Sequence, residues 1–402
     1  MAVEIEEPPA GETPVVEAGV IEDARRRQRG QWRTAAGGLI VACVTAAGLI
    51  AIAGGYDGPP TAGAATSPRP LTGSPLGVTH LRLIVADTPP ASVDVDSGRI
   101  KPVTGVVPGP YTRIGAPQVI TVSPTRDGAY AVVLRSCGRC ANDAEAFFIA
   151  TDATAQYLAR GESMALDPAS SRLWVLSRLP AGGCTLRLVP GGGAGVRAPC
   201  GAINGVVTAG VVINDDVVVD PRSGVQSRPR ESFQFLLQGD LALQSNTDQQ
   251  FNGGRGKLAL VNLVTGVRRR IAYPSMPRIP ASDYFALQKV AVEPHGPLDA
   301  LTFANPFYRP SQAAYIWILD TRTGKLTLLP GFPTLEGVKA SDAEWTSDGR
   351  LVVVSWDEAS VERPTSAVLG IWKPGQTTIA VRSVPINRLI EGGGCNSFAP
   401  LG

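Results

Sequence analysis

Short apolar segments separated by turn residues fill the chain from residue 77 to residue 386. They are rich in β-branched and aromatic residues and are bounded by Gly, Pro, Asn and Asp, a pattern typical of β-strands. The clearest segments read VVINDDVVVD, KLALVNL, AAYIWILD, RLVVVSWD and AVLGIW. Helical periodicity is not evident in this region. The pattern therefore predicts one large all-β domain over residues 77–386.

One turn motif recurs four times in this domain. It consists of Asp or Asn, two further residues, Ser or Thr, and then Gly, at residues 94–98, 220–224, 262–266 and 320–324. The first side chain accepts backbone N–H groups and the glycine takes the positive-φ position, so the motif predicts a tight hairpin. The second and third copies are 42 residues apart, and the first and second are three times that distance apart.

A second turn type, with proline after an apolar strand, has the same spacing. Its copies lie at residues 122–124, 166–168 and 292–294, and a related turn lies at residues 345–349. Two turn types that share one period indicate a four-stranded repeat, because a β-sandwich gives no reason for that period. Seven units predict a seven-bladed β-propeller. Six or eight blades are alternatives, since the unit at residues 202–230 shows only three clear strands.

Two segments resemble a known group of repeats. Ser123-Pro-Thr-Arg-Asp-Gly128, followed by Ala-Tyr-Ala-Val-Val, resembles the repeat of TolB-like and WD-repeat-like β-propellers, and Ile318-Leu-Asp-Thr-Arg-Thr-Gly-Lys325 is similar to their hairpin between strands c and d. The resemblance covers most of residues 77–386. It departs from the WD pattern, which has a Gly-His pair and a Trp-Asp ending at blade spacing. It implies a binding or scaffolding platform, although this fold also hosts enzymes.

An uncharged segment, residues 34–54, precedes the β-rich region. It is long enough for a helix that crosses the hydrocarbon core of a bilayer. The basic residues just before it are Arg25, Arg26, Arg27, Arg29 and Arg33, and the next one is Arg69. The positive-inside rule then predicts a cytoplasmic N-terminus and an extracytoplasmic propeller on a signal-anchor. Two alternatives stay open, namely cleavage of a secretory signal near Ala53 and a lipoprotein modified at Cys43.

Composition divides the rest of the chain into an N-terminal tail, a linker and a C-terminal tail. Residues 1–33 hold acids followed by arginines and almost no apolar periodicity, which predicts a disordered cytoplasmic tail. Residues 55–76 are rich in Gly, Pro, Ser and Thr, a composition typical of a linker. Residues 387–402 are predicted to form a C-terminal tail.

Charge and histidine content reduce the range of functions that the sequence supports. The chain has 37 Lys and Arg against 35 Asp and Glu, a formal net charge of +2, which gives no support for nucleic-acid binding. The only histidines are His80 and His295. Metal binding and nucleophilic catalysis both lean on histidine, so no metal site and no cofactor are predicted.

Cysteines in an oxidising, extracytoplasmic compartment tend to form disulfide bonds. Cys184 and Cys200 are symmetric about Gly192, and in a hairpin they would face each other, so we expect them to be bonded. Cys137 and Cys140 would close a small loop as a second disulfide. Cys395 is the odd cysteine, and it would be free, bridge a partner, or pair with one of that second pair.

The longer connections should share one face of the propeller. In a four-stranded blade the a–b and c–d turns lie at one end, and the b–c and d–a connections lie at the other. The tight turn motifs fall among the a–b and c–d turns, and the long irregular segments fall among the b–c and d–a connections. Long loops on a rigid scaffold are where function usually resides. The candidate binding residues on this face are Phe251, Asn252, Arg255, Phe307, Tyr308, Arg309, Asp357, Glu358 and Arg363. As an alternative, Phe307 and Tyr308 cap their own blade.

These features predict a non-enzymatic, membrane-tethered module that binds an envelope protein, a peptide or a cell-wall polymer. The alternative is a propeller-type hydrolase or lyase that acts on carbohydrate or another small substrate. Such an enzyme would use acids such as Asp143, Asp248 and Asp283, although no spacing marks a pair among them. The sequence leaves the oligomeric state open.

Overall fold

The computed structural model describes residues 74–85, 90–106, 118–125, 127–134, 144–167, 170–246, 257–272, 286–304, 315–331, 338–357, 367–384 and 398–401. These ranges contain β-strands and turns, and no helix that could span a bilayer occurs among them. Residues 34–54, for which the sequence predicts a membrane helix, lie outside the described ranges, as do the predicted tail at residues 1–33 and most of the linker.

The first four blades are sheets of four strands each, ordered from the innermost strand outwards. Blade 1 consists of β29 (Phe398–Leu401), β2 (Arg82–Val85), β3 (Ala91–Asp94) and β4 (Ile100–Pro102). Blade 2 consists of β5 (Gln118–Pro124), β6 (Gly128–Leu134), β7 (Ala144–Ala150) and β8 (Ala155–Gly161). Blade 3 consists of β9 (Ser163–Asp167), β10 (Arg172–Arg178), β11 (Cys184–Val189) and β12 (Val196–Ala198). Blade 4 consists of β13 (Ile203–Val207), β14 (Gly210–Ile213), β15 (Val217–Val219) and β16 (Gln226–Ser227).

The remaining three blades complete the ring. Blade 5 consists of β17 (Phe235–Leu236), β18 (Leu241–Asn246), β19 (Lys257–Asn262) and β20 (Arg268–Ile271). Blade 6 consists of β21 (Ala286–Ala291), β22 (Leu298–Ala304), β23 (Tyr315–Asp320) and β24 (Lys325–Leu328). Blade 7 consists of β25 (Val338–Trp345), β26 (Leu351–Asp357), β27 (Ala367–Trp372) and β28 (Ala380–Val384), with β1 (Ser74–Pro75) added outside β28. The fourth strand of blade 4 is the short β16, so this blade is complete. The described residues therefore form seven blades.

An apolar layer fills each junction between adjacent blades. Leu83 of blade 1 packs with Val352 of blade 7, while its neighbour Ile84 packs with Ile149 of blade 2. The described residues contain seven such layers, one for each junction of the ring. Because successive side chains point to opposite faces, each central strand buries both faces and its sequence is almost continuously apolar.

The ring is closed by strands from both ends of the described chain. The C-terminal strand β29 pairs antiparallel with β2, with Arg82 opposite Leu401 and Val85 opposite Phe398. The sequence pattern predicts a propeller that ends at residue 386, followed by a tail at residues 387–402. Residues 398–401 are instead the innermost strand of blade 1. The segment Phe-Ala-Pro-Leu gave no strand signal because it is short, contains proline and follows a glycine-rich stretch.

A second closure lies at the outer edge of blade 7. Strand β1 pairs parallel with β28, with Ser74 opposite Ala380, and the N–H of Leu76 donates to the carbonyl of Val381. The end of the predicted linker at residues 55–76 is therefore part of a sheet. The chain enters beside the last blade and continues into the first, so the two blades are joined twice.

The repeated turn motif forms the predicted hairpin between strands c and d. In each of the four copies the glycine N–H donates to the carbonyl of the first residue at 2.7–2.8 Å, and the glycine φ lies between 68° and 75°. The carboxylate of Asp94 accepts from the N–H and the hydroxyl of Ser97, both at 2.7 Å. The hydrogen bonds from Ser97 hold the pKa of Asp94 below its usual value.

Cations on the outer strands link consecutive blades. The ammonium of Lys101 donates to the carbonyl of Asp152 in the next blade, and the guanidinium of Arg382 donates to the carbonyl of Val95 across the closure. The guanidinium of Arg269 donates to the carbonyls of Thr321 and Arg322 in the c–d turn of blade 6. The turns thus serve as acceptors for the neighbouring blade as well as hairpins of their own.

We predict that Phe398→Ala lowers the free energy of unfolding far more than Tyr157→Ala does. Phe398 is 3% exposed in the layer between blades 1 and 7, and loss of a buried phenylalanine side chain costs about 3–5 kcal/mol. Tyr157 is 52% exposed on the outer strand β8, so its truncation should cost about 1 kcal/mol or less. Denaturant unfolding of both variants tests this. Equal losses would contradict the ring closure.

We predict that Gly224→Ala destabilises the fold by about 1 kcal/mol. The glycine φ is 72°, but an added Cβ would have ordinary contacts of 3.5 Å with Val196, so the cost is conformational rather than steric. Gly193→Ala is the matched control, because a Cβ at Gly193 would meet nothing within 4 Å and its φ is not positive. The difference between the two thermal midpoints is the measurement, and no difference would contradict the hairpin geometry.

Candidate functional site

The residues predicted to form the binding face lie almost entirely outside the described ranges. Asp357 is the last residue of β26 and pairs with Val338. The remaining candidates lie outside the described ranges, namely Phe251, Asn252, Arg255, Phe307, Tyr308, Arg309, Glu358 and Arg363. The acids Asp143, Asp248 and Asp283 and the cysteines Cys137, Cys140 and Cys395 are likewise outside. The strands that flank these residues are described, and they fix where the connections begin and end.

The connections at one end of the blades differ strongly in length around the ring. Four of the b–c connections are long, at residues 135–143, 247–256, 305–314 and 358–366 in blades 2, 5, 6 and 7. Long d–a connections follow blades 1, 5, 6 and 7 at residues 103–117, 272–285, 329–337 and 385–397. In blade 3 the b–c connection is only residues 179–183, and in blade 4 it is 214–216. Long segments therefore leave a continuous sector, from blade 5 through blade 7 to blade 2, and blades 3 and 4 have short ones.

The short-loop sector is held by a disulfide and an asparagine. Cys184, the first residue of β11, is bonded to Cys200, which lies beyond β12 in the connection to blade 4, and this confirms the predicted pair. The Asn214 amide donates to the carbonyl of Cys200 at 3.1 Å and accepts from the N–H of Ala202 at 3.0 Å. A Cβ on Gly201 would lie 2.0 Å from the Asn214 side chain, so only glycine fits there.

A carboxylate lies beside this disulfide. Glu162, in the connection between blades 2 and 3, has its Oε2 3.4 Å from the Sγ of Cys184. Its other oxygen accepts from the guanidinium of Arg178 at the end of β10. The Glu162 side chain is 10% exposed, whereas that of Arg178 is 65% exposed, so the ion pair reaches from the sheet to the surface.

Three charged side chains meet between the innermost strands of blades 6 and 7. The ammonium of Lys289 on β21 lies 2.6 Å from the Oδ1 of Asp342 and 2.6 Å from the Oε1 of Glu344, both on β25. Burial lowers the pKa of Lys289, but the two carboxylates outweigh it and hold that pKa above its ordinary value. Burial raises the pKa of Glu344 to about 7, since the nearby Lys289 offsets the combined effect of burial and Asp342 only in part.

A buried pair of acids lies at the end of blade 6 that carries its a–b turn, between β21 and β22. Asp299 is 1% exposed and Glu293 is 8% exposed. Asp299 Oδ1 accepts from the N–H of Glu293 at 3.3 Å, whereas its Oδ2 has no hydrogen-bond partner among the described residues. Burial, with a smaller contribution from the charge of Glu293, raises the pKa of Asp299 to about 7 against the lowering by the hydrogen bond.

These charged groups were not predicted from the sequence. Lys289, Asp342 and Glu344 stand within strands whose other residues are mostly apolar or small, Ala-Leu-Gln-Lys-Val-Ala and Val-Lys-Ala-Ser-Asp-Ala-Glu-Trp. Charges within an otherwise apolar strand were the available signal, because a buried strand position excludes an unpaired charge. What the sequence does not provide is the pairing, since Lys289 and Asp342 are on different blades.

The sheet order, the seven junction layers and the terminal strand exchange define a seven-bladed β-propeller. No protein-family model matches the sequence, and no curated protein matches it.

Several solved structures are similar to the chain at low identity. A prolyl endopeptidase matches with a TM-score of 0.43 and 13% identity, over 74% of this chain and 47% of its own. The β-propeller domain of the Trilobed protease from Pyrococcus furiosus matches with a TM-score of 0.40 and 9% identity, over 78% and 94%. A thermostable family-43 glycoside hydrolase matches with a TM-score of 0.36 and 12% identity, over 69% and 96%.

The chain spans about half the length of the prolyl endopeptidase and of an acylaminoacyl peptidase from Pyrococcus horikoshii, 47% and 45% respectively. Likenesses of this size carry no argument about activity, and the propeller assignment rests on the strand pairing itself.

We predict that Asp299→Asn flattens the pH dependence of stability between about pH 4 and pH 7. The folded pKa of about 7 exceeds the ordinary value of 3.8, so the stabilisation is fully present below the unfolded pKa and is lost as the pH rises through the folded one. The wild-type curve should be steeper by up to about 1.4 kcal/mol per pH unit in this window.

Denaturant unfolding at a series of pH values measures the slope. Asp94→Asn is the control, because the lowered pKa of Asp94 confines its own contribution to more acidic pH. Identical slopes for the wild type and Asp299→Asn would show that Asp299 is not held protonated in the fold.

Proposed function

We propose that the protein is a non-enzymatic binding module that recognises an envelope protein, a peptide or a cell-wall polymer through one face of its propeller. The observation that carries this proposal is the division of connection lengths. Every described turn at the a–b and c–d end is short, while the long connections leave the other end of blades 5, 6, 7, 1 and 2. A rigid ring with long connections on one face is the usual arrangement for recognition.

The composition of two long connections supports the same proposal. Residues 247–256 include Phe251, Asn252 and Arg255, and residues 305–314 include Phe307 and Tyr308. Aromatic and arginine side chains are enriched among the residues that dominate protein interfaces. These two connections belong to adjacent blades, 5 and 6, so a ligand held by one would lie within reach of the other.

The uncharged run at residues 34–54 supports membrane attachment. With arginines before it and none between it and Arg69, it would place the propeller outside the cytoplasm. In this setting an envelope partner is the natural ligand, and the disulfide between Cys184 and Cys200 is compatible with an oxidising exterior.

A hydrolase is the second candidate function. The observation that favours it is Glu344, a carboxyl on the innermost strand of blade 7 with a pKa of about 7, beside Asp342 and Lys289. A group with this pKa is suited to proton transfer near neutral pH. In this reading Glu344→Gln would abolish turnover of a glycoside or peptide substrate.

We expect the triple variant Phe307→Ala, Tyr308→Ala and Arg309→Ala to lose most of the partner captured by in-membrane crosslinking of the full chain. Loss of interface anchors typically costs about 2 kcal/mol or more each. The matched control is Tyr157→Ala with Arg268→Ala, which removes an exposed aromatic and an exposed arginine from outer strands.

Two results would contradict the binding proposal. One is equal capture by the triple variant and the control. The other is the absence of any captured partner together with turnover of a glycoside or peptide panel that Glu344→Gln abolishes, which would favour the hydrolase.

A further inference from the structure

The contact between Glu162 and the disulfide is chemically unusual. A carboxylate normally accepts a hydrogen bond, but the sulfur of a disulfide carries no hydrogen to donate. Glu162 Oε2 nevertheless lies 3.4 Å from Cys184 Sγ, in a position that a thiol or a metal ion would satisfy. Arg178 donates to the other oxygen, Oε1, while Oε2 lies beside the sulfur.

The three groups that meet here have the composition of a metal site. Ligand atoms of Glu162, Cys184 and Cys200 all lie within 4.8 Å of one another, and the described residues contain no other such group of three or more. Two thiolates and a carboxylate suit a thiophilic divalent cation, and zinc with three protein ligands commonly keeps water in its fourth position.

The surrounding fold holds two of the ligands and leaves freedom in the third. Cys184 is 1% exposed and begins β11, so the sheet fixes its position. Glu162 lies directly before β9 and is held by its ion pair with Arg178. Cys200 lies outside the strands, in the connection between β12 and β13, and rotation about its side-chain torsions would let the two separate sulfurs move apart once the bond is broken.

We propose that, once the Cys184–Cys200 disulfide is reduced, the protein binds one zinc ion through both thiolates and the carboxylate of Glu162. Reduction by a dithiol breaks the S–S bond, transfers two electrons and two protons to give two thiols, and leaves the reductant as a disulfide. Zinc binding then releases the two thiol protons. The ion replaces the covalent link between blade 3 and the connection to blade 4.

The test uses the full chain with Cys43, Cys137, Cys140 and Cys395 replaced by serine, so that only Cys184 and Cys200 remain. A phosphine serves as the reductant, because it reduces the disulfide with water as the oxygen source, becomes a phosphine oxide and leaves no competing thiol. Competition with a chromophoric chelator measures zinc affinity, and cobalt(II) provides a thiolate charge-transfer band and the intense visible bands of a four-coordinate ion.

We expect the reduced chain to bind one zinc per molecule and the oxidised chain to bind none. Glu162→Gln keeps both cysteines and should weaken zinc binding by roughly tenfold or more, with altered visible bands of the cobalt form. Asp216→Asn is the matched control, because Asp216 is an exposed acid in the neighbouring b–c turn of blade 4 and should leave the affinity unchanged.

Three results would overturn the site. The first is a reduced chain with native circular dichroism that binds no zinc. The second is equal zinc binding by the oxidised chain, and the third is a Glu162→Gln affinity equal to that of the parent. None of these readouts depends on the partner of the propeller, so the outcome is separate from that of the proposed binding function.

Discussion

The apolar contact between the faces of neighbouring blades is the interaction on which the rest of the structure depends. Exposing either apolar face of a four-stranded sheet to water is unfavourable. Each blade here therefore buries both of its faces against its two neighbours. Leu83 and Ile84 are adjacent in sequence yet belong to different junction layers. The arrangement is stable only if the ring closes, because an open ring would expose two apolar faces. Both ends of the described chain are used to close it, β29 inside blade 1 and β1 outside blade 7.

A closed ring separates the tasks of its two ends. The end with the a–b and c–d turns is tied together by backbone acceptors, as when Arg382 reaches the carbonyl of Val95 across the closure. The connections at the other end vary freely in length, from one residue between β8 and β9 to fifteen between β4 and β5. Blades 3 and 4 use this freedom least and are fastened instead by the Cys184–Cys200 bond and by Asn214. The long connections of the other blades are therefore the part of the molecule with the greatest scope for recognition.

Local chemistry explains which parts of the fold could be predicted from the sequence. The turn at Asp94 needs only five neighbouring residues, so its hairpin, and through its spacing the blade period, could be recognised. The Cys184–Cys200 bond followed from hairpin symmetry, although Cys184 pairs with Ala198 and the second cysteine lies beyond the strand. Strand β29 could not be recognised, because its partner β2 is more than three hundred residues away and its own four residues have little strand character. The Lys289 cluster was missed for the same reason, since its members meet only when two blades pack.

Closure of the ring by the C-terminal strand is the central claim, and disulfide trapping tests it most directly. Arg82→Cys and Leu401→Cys place thiols on residues that are directly opposite in the β2–β29 pair. With Cys43, Cys137, Cys140 and Cys395 replaced by serine, mild oxidation should give a monomeric species in which mass spectrometry finds the peptides of residues 82 and 401 joined. Leu401→Cys alone should give no such product. Failure of the double variant to form this bond while it remains folded and monomeric would contradict the closed ring.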